Sequence, residues 1–490
     1  MAGDRPAARM QLVEIADPDE DVPPGPASSR ARPPRARTPG DGPSPAGAPR
    51  LPGWAWALAA VLVLLVAAAA VATGAVARRA DARADRLAQV PGFVRALDHT
   101  PREVWRTAVP HRYGTVLAAG GTLVTVSDVT GTWTVTGRDP ATGGAAWAQE
   151  VVEVSRAGFE TVSVVCLPGP AASTLLVCGW VEPGVVYGRR QTPEPVVPVT
   201  RLVAFDATSG EPVGAWQVRD RLVGVDRVGD DLVVATATAD RRVRVERRAG
   251  ADGTLRWGVT SQDELVTTDG SRPDPRLEVG EDLVVLTGTS TAVLDAADGE
   301  RLSGSASGRQ LLVVPLTAGG FASWASTGDA RLHDADGEIR AEVVGLPARL
   351  SADDRSSDAL LVDLGRRVVA VDPDDGAQRW EQVVPLSPVA VVDGVVVLGG
   401  DVGVGAVDAA DGTVLWQQRV PQVVPFAPVT DGLVVVGPEP ARGGGWALVG
   451  RGLRDGVRAW SVSLPDDARG LDVVGGRMVV RTPDEAVVLG

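Results

Sequence analysis

Side chains that ordinarily carry catalysis are sparse in this 490-residue chain, and their spacing limits what they could do. The three histidines, His99, His111 and His333, stand far apart and lack the close spacing that gathers imidazoles on one zinc ion or builds a catalytic triad. No phosphate-cradling glycine loop and no nucleophile elbow occurs. Asp372-Pro373-Asp374-Asp375-Gly376 has the acidic density of a calcium loop. It lacks the alternating ligands and the distal Glu, so a hairpin turn is expected there. Cys166 and Cys178 lie in two apolar runs, 162–167 and 175–180, joined by a Pro/Gly/Ala loop. Two such strands form a hairpin whose cysteines are either cross-strand partners within disulfide reach or a pair of buried thiols.

What does recur is a phrase: an apolar strand, an Asp, a Gly four positions later, and a Trp four positions after the Gly. The clearest copies are Asp372, Gly376, Trp380 and Asp408, Gly412, Trp416. Asp139, Gly143, Trp147 is a third, and Asp206, Gly210 with a shifted Trp216 a fourth. Partial copies are Gly253 with Trp257, Asp295 with Gly299, Asp334 to Gly337, and Gly456 with Trp460. Physical chemistry accounts for each position. Gly supplies the positive φ of a tight hairpin turn, Asp bonds nearby backbone N–H groups, and Trp offers a broad flat surface to a neighbouring unit.

Successive turn glycines are 67, 43, 46, 38, 39, 36 and 44 residues apart, which, the first interval aside, is the length of one four-stranded propeller blade. Short Val/Leu/Ala/Thr runs between the turns keep no helical period. The fold expected is all-β, a β-propeller of about eight blades, with eight preferred to seven or nine. Closure also leaves a trace. Val104-Trp105-Arg106 reads like the outer strand Leu415-Trp416-Gln417 but has no hairpin before it, and the chain after Leu471 supplies only three strands. An N-terminal strand completing the last blade removes both open edges.

Ahead of the propeller, expected over 101–490, three segments differ in composition. Residues 54–77 form an uncharged Ala/Leu/Val stretch long enough to cross a hydrocarbon core as a helix, opened by Trp54 and Trp56 and stopped by Arg78 and Arg79. A cleaved signal peptide would have a shorter apolar run and a short basic leader. Residues 1–53, rich in Pro, Ala, Gly, Arg and Ser, read as a disordered cytoplasmic tail, and 78–100 as a linker whose polar helical start ends at Pro91-Gly92. Flanking arginines nearly balance, so the expected orientation, propeller outside the cytoplasm, rests on the size of the domain that follows the span.

The chain has no Lys and no Asn, which reads as the bias of a GC-rich genome, and its net charge is -14. Residues 1–53 carry seven Arg against seven Asp plus Glu, so the acidic excess belongs to the body. Such a body repels phosphate backbones, which excludes nucleic acid as an expected partner.

The repeated Asp-x-x-x-Gly-x-x-x-Trp phrase resembles the PQQ-like repeat over roughly 101–490. That repeat is found in quinoprotein dehydrogenases and in the propeller subunit of the outer-membrane β-barrel assembly machinery. The resemblance implies a propeller but no particular activity, because this fold serves both enzymes and binding modules. Quinoproteins hold PQQ and Ca²⁺ with a Glu, an Asn and an Asp, with a Trp under the ring and commonly adjacent cysteines. This chain has no Asn and no adjacent cysteines, so no cofactor and no catalytic residue is assigned. The function expected is a membrane-anchored module that binds an envelope protein or peptide. The alternative is a small-ligand sensor or quinoprotein-like enzyme using the central channel.

Overall fold

Runs such as Val395–Gly400 and Gly403–Asp408 are apolar on both faces, and both strands are buried along almost their whole length. Strands of this kind must be covered on two sides, which a ring of stacked sheets provides. The computed structural model describes residues 82–490, apart from 85, 98, 110–114, 129–131, 154–162, 171, 183–184, 188–192, 196–197, 267–274, 317–318, 327–328, 424–425 and 442. The expected tail and span, 1–53 and 54–77, lie outside the described residues. Among those residues no helix is long and apolar enough to cross a membrane.

Among the described residues nine sheets, antiparallel but for one added strand in blade 7, form the propeller. Blade 1 runs from Thr115–Ala119 to Ala145–Glu153, blade 2 from Val165–Leu167 to Pro212–Val218, and blade 3 from Arg221–Val228 to Leu255–Thr260. Blades 4, 5 and 6 begin at Arg276–Val279, Leu311–Pro315 and Leu346–Pro347, and blades 7 and 8 at Ser387–Val392 and Val429–Thr430. Blade 9 consists of Gly470–Val474, Arg477–Arg481 and Glu485–Leu489 together with the N-terminal strand Glu103–Ala108. That last strand pairs antiparallel from Glu103↔Leu489 to Ala108↔Glu485, so the ring is tied shut by chain from its two ends.

The blade count corrects the expected eight to nine. The blade with the faintest copy of the phrase is blade 5. Its turn is one residue shorter, with the Gly337 N–H donating to the Asp334 carbonyl at 3.1 Å, and Ala341 stands where other blades have Trp. Fully buried Phe321, Ala322, Ala330 and Leu332, with Trp324 of the second strand packed against this core, hold the blade without a Trp in its outer strand. The long first interval has a local cause too: blade 2 carries an inserted two-stranded ribbon, Val185–Tyr187 with Pro193–Pro195, between its second and third strands.

Cys166 and Cys178 face each other in register across the first two strands of blade 2 and form a disulfide. Blade 6 has an inner strand of two residues. The chain then diverts so that Ala352–Asp353 adds a fifth, parallel strand to blade 7.

Candidate functional site

The repeated phrase turns out to be a joint between blades. Except in blade 5, each such hairpin closes with the glycine N–H donating four residues back, as from Gly143 to the Asp139 carbonyl at 2.8 Å and from Gly412 to the Asp408 carbonyl at 2.9 Å. The Asp139 carboxylate accepts the N–H groups of Ala141 and Thr142, and Asp206 those of Thr208 and Ser209. Asp295, Asp372 and Asp408 take the N–H two residues on. These bonds hold the carboxyls of Asp139 and Asp206 below the usual range, through the Ala141 N–H and the Thr208 hydroxyl first. In blades 3 and 8 the turn begins at Ala249 and Gly452, and Asp252 and Asp455 cap its far side instead.

Each tryptophan reaches into the next blade. Trp147 lies against Gly210 and donates its indole N–H to the Ala207 carbonyl at 2.9 Å, and Trp216 does the same with Gly253 and the Gly250 carbonyl at 3.2 Å. Trp257 meets Gly299 and Ala296, Trp380 meets Gly412 and Ala409, and Trp416 meets Gly456 and Leu453. Trp105 closes the ring on Gly143 and Pro140. The acceptor is always the residue three before the glycine. Trp216 sits two residues late in its strand, and a shift of two keeps a strand side chain on the same face. Three joints lack this contact. Blades 4 and 5 carry Ser303 and Ala341 at the Trp position, and Trp460 of blade 8 meets a blade without a third-to-fourth-strand hairpin. Its indole nitrogen is buried without a partner.

The histidine with chemical potential is His333. Its Nδ1 donates to the Gly337 carbonyl at 2.9 Å and its Nε2 accepts from the Ser323 hydroxyl at 2.9 Å. Both side chains are buried and Phe321 stacks on the ring at 4.4 Å, so no substrate reaches the pair while blade 5 is intact. Among the described residues no group of three or more His, Cys, Asp or Glu could hold a metal ion.

What the repeat does not reveal is the end of the ring where first strands turn into second strands. Residues 87–97 cross it over blades 6 to 9. Phe93 forms a parallel bridge with Thr430, the Val94 N–H donates to the Thr430 carbonyl at 2.9 Å, and the Arg95 N–H donates to the Gly476 carbonyl at 2.7 Å. The Leu97 N–H donates to the buried Asp431 carboxylate at 2.8 Å. Leu87, Phe93 and Val94 are buried. Beside this segment, toward blades 1 to 4, lies a chamber of about 750 Å³ bordered by Val90, Arg95, Leu117, Asp226, Val279 and Val474. Burial raises the Asp226 carboxyl, against the N–H groups of Arg227 and Val279 that bond it. A second cavity of about 390 Å³ opens between blades 4, 5 and 6, where tryptophan spacers are missing. On its wall Arg349 donates to Glu278 at 2.9 Å and to the Val313 carbonyl at 3.1 Å. Asp431, Phe93 and Arg349 belong to no repeated phrase, so no periodicity marks them.

Residues 292–489 match the PQQ_2 family model, described as outer membrane protein assembly factor BamB. Solved structures of similar fold include BamB from Moraxella catarrhalis, at 14% identity and a TM-score of 0.44 over 79% of this chain and 99% of that one. Another is the quinohemoprotein alcohol dehydrogenase of Comamonas testosteroni, at 13% identity and 0.40 over 80% and 76%. That of Pseudomonas putida HK5 stands at 12% identity and 0.38 over 84% and 81%. No curated protein matches the chain. Residues 292–489 thus match the PQQ-like repeat family model, and the hairpin-and-indole joint carries the same repeat around the rest of the ring.

Proposed function

We propose that the chain is a non-catalytic, protein-binding scaffold of the cell envelope, anchored by one span at 54–77 with its propeller outside the cytoplasm. The observation that carries this reading is the match of residues 292–489 to a family described as an outer-membrane assembly factor. Residue chemistry supports it. Six of the seven tryptophans at the Trp position of an outer strand are committed to interblade contacts, and the aspartates of the phrase cap turns. Affinity capture of the full chain from membranes tests the reading. A specific envelope protein, retained at stoichiometric level through washing, is the expected result, and none retained counts against it. The chamber of about 750 Å³ favours one second reading, a small ligand held at the channel end. Titration with PQQ and Ca²⁺, followed by Trp fluorescence, separates the two, because the scaffold reading expects no saturable change. A reporter that is active only outside the cytoplasm, fused after Gly490, tests the orientation.

A further inference from the structure

We propose that the channel end crossed by residues 87–97 is a peptide-recognition cleft, with that segment as its resident ligand, and that an extended partner segment carrying a Gly-aromatic-aliphatic run competes for it. Three observations point there. Recognition runs through the main chain: N–H groups of Val94, Arg95 and Leu97 are each accepted by blade 8 or blade 9, and Phe93 bridges to Thr430 as an added parallel strand would. Side-chain selection is local. Phe93 is 1% exposed and packs in one cluster with Val392, Val395 and Val435, while Val94 enters another with Val436, Leu448 and Met478. Gly92 has φ +88°, and a Cβ there would lie 2.0 Å from the Ser351 carbonyl oxygen, so the cleft also demands glycine.

The third observation is that the segment is additional to the ring. Blade 9 is completed by Glu103–Ala108, so residues 87–97 can leave without opening a blade edge. The chamber of about 750 Å³ continues the cleft toward blades 1 to 4 and gives a longer partner segment room beyond the resident one. Being tethered, the resident segment acts at an effective concentration on the order of millimolar, which makes it a built-in competitor. The inference gives the protein-binding reading a site and rests on that reading only for the partner in trans. The cleft itself is tested without it.

The experiment uses the full chain and a fluorescent synthetic peptide of residues 84–97. In the native chain the cleft is filled and apparent affinity falls by the fraction of open molecules. Gly92→Val expels the resident segment by its clash with Ser351, and this chain should bind the wild-type peptide at least about tenfold more tightly than the native chain does. A peptide carrying Gly92→Val or Phe93→Ala should bind neither chain. A folded Gly92→Val chain that binds no peptide, or binds it no better than the native chain, overturns the proposal. If Gly92→Val does not fold alone, peptide present during refolding should restore the β-sheet circular dichroism, and failure to restore it equally overturns the proposal. Loss of the envelope partner in affinity capture, with peptide binding intact, would sink the scaffold reading and leave the cleft standing.

Discussion

Trp380 and Trp460 hold the same place in different blades, are 6% and 8% exposed, and differ in the fate of one nitrogen. The Trp380 indole N–H donates to the Ala409 carbonyl at 2.8 Å, whereas that of Trp460 has no acceptor, since blade 9 has no third-to-fourth-strand turn to supply one. Both lose similar area on substitution by Phe, so the hydrogen bond is isolated by the difference. Trp380→Phe should cost roughly 1–2 kcal/mol more than Trp460→Phe, because it strands a carbonyl while the other removes a stranded donor. Urea unfolding of the two variants measures this, and equal losses would mean the indole bond contributes nothing net. The glycine opposite is constrained twice. At Gly412 φ is +74° and a Cβ would lie 2.6 Å from the Trp380 ring; at Gly394 φ is +68° and the space is open. Gly394→Ala should cost about 1 kcal/mol from backbone strain, and Gly412→Ala about 1–3 kcal/mol beyond that from overpacking. The same unfolding experiment checks it, and a Gly412→Ala loss no larger than that of Gly394→Ala would remove the ring contact as the reason for glycine.

At the scale of elements, the hairpins were legible because one turn geometry leaves the same residue types at the same offsets in blade after blade. Blade 5 carries the faintest mark, because Ala341 and a shortened turn erase two of the three features of the phrase, although its burial is as complete as its neighbours'. The segment at 87–97 was read as linker for a related reason: a single buried Phe-Val pair has no period to betray it. Whether Cys166 and Cys178 are bridged depends on register, which the two apolar runs alone leave open. Ring closure, by contrast, was visible as an outer strand without a hairpin, and Trp105 is its keystone. Its indole donates to the Pro140 carbonyl at 3.2 Å and its ring underlies Gly143, so it ties blade 9 to blade 1. Trp105→Ala should cost roughly 3–5 kcal/mol as the loss of a buried aromatic. Hydrogen exchange reads where that loss falls: protection should drop at 485–489, which pair with the strand, and at the 139–144 hairpin. Exchange unchanged at both sites in a folded variant would move the closing contact elsewhere.

Across the whole molecule the titratable groups set how stability depends on pH, and they do not all act in one direction. Burial lowers the His333 pKa from its ordinary 6.5, because an imidazolium in blade 5 would lose its hydration while Nε2 already accepts from Ser323. A group whose folded pKa is depressed binds protons more readily when unfolded, so its contribution is complete above about pH 6.5 and declines as pH falls below that value. The turn aspartates follow with a lower window. Asp139 and Asp252 are held low chiefly by backbone N–H groups, and Asp206, Asp372 and Asp411 chiefly by side-chain partners, Thr208, Arg379 and Thr413. What they contribute is lost only as pH drops below about 4. Asp226 runs the other way, since burial raises its pKa and its protonation favours the folded chain in acid. Thermal unfolding of the propeller should therefore show Tm falling in two steps, one beginning near pH 6.5 and a steeper one below about pH 4. His333→Gln keeps hydrogen-bonding capacity without a titrating ring, so its Tm should be flat between pH 5 and 7.5 whatever its absolute value. A step of native size between those pH values in His333→Gln would assign the upper transition to another group.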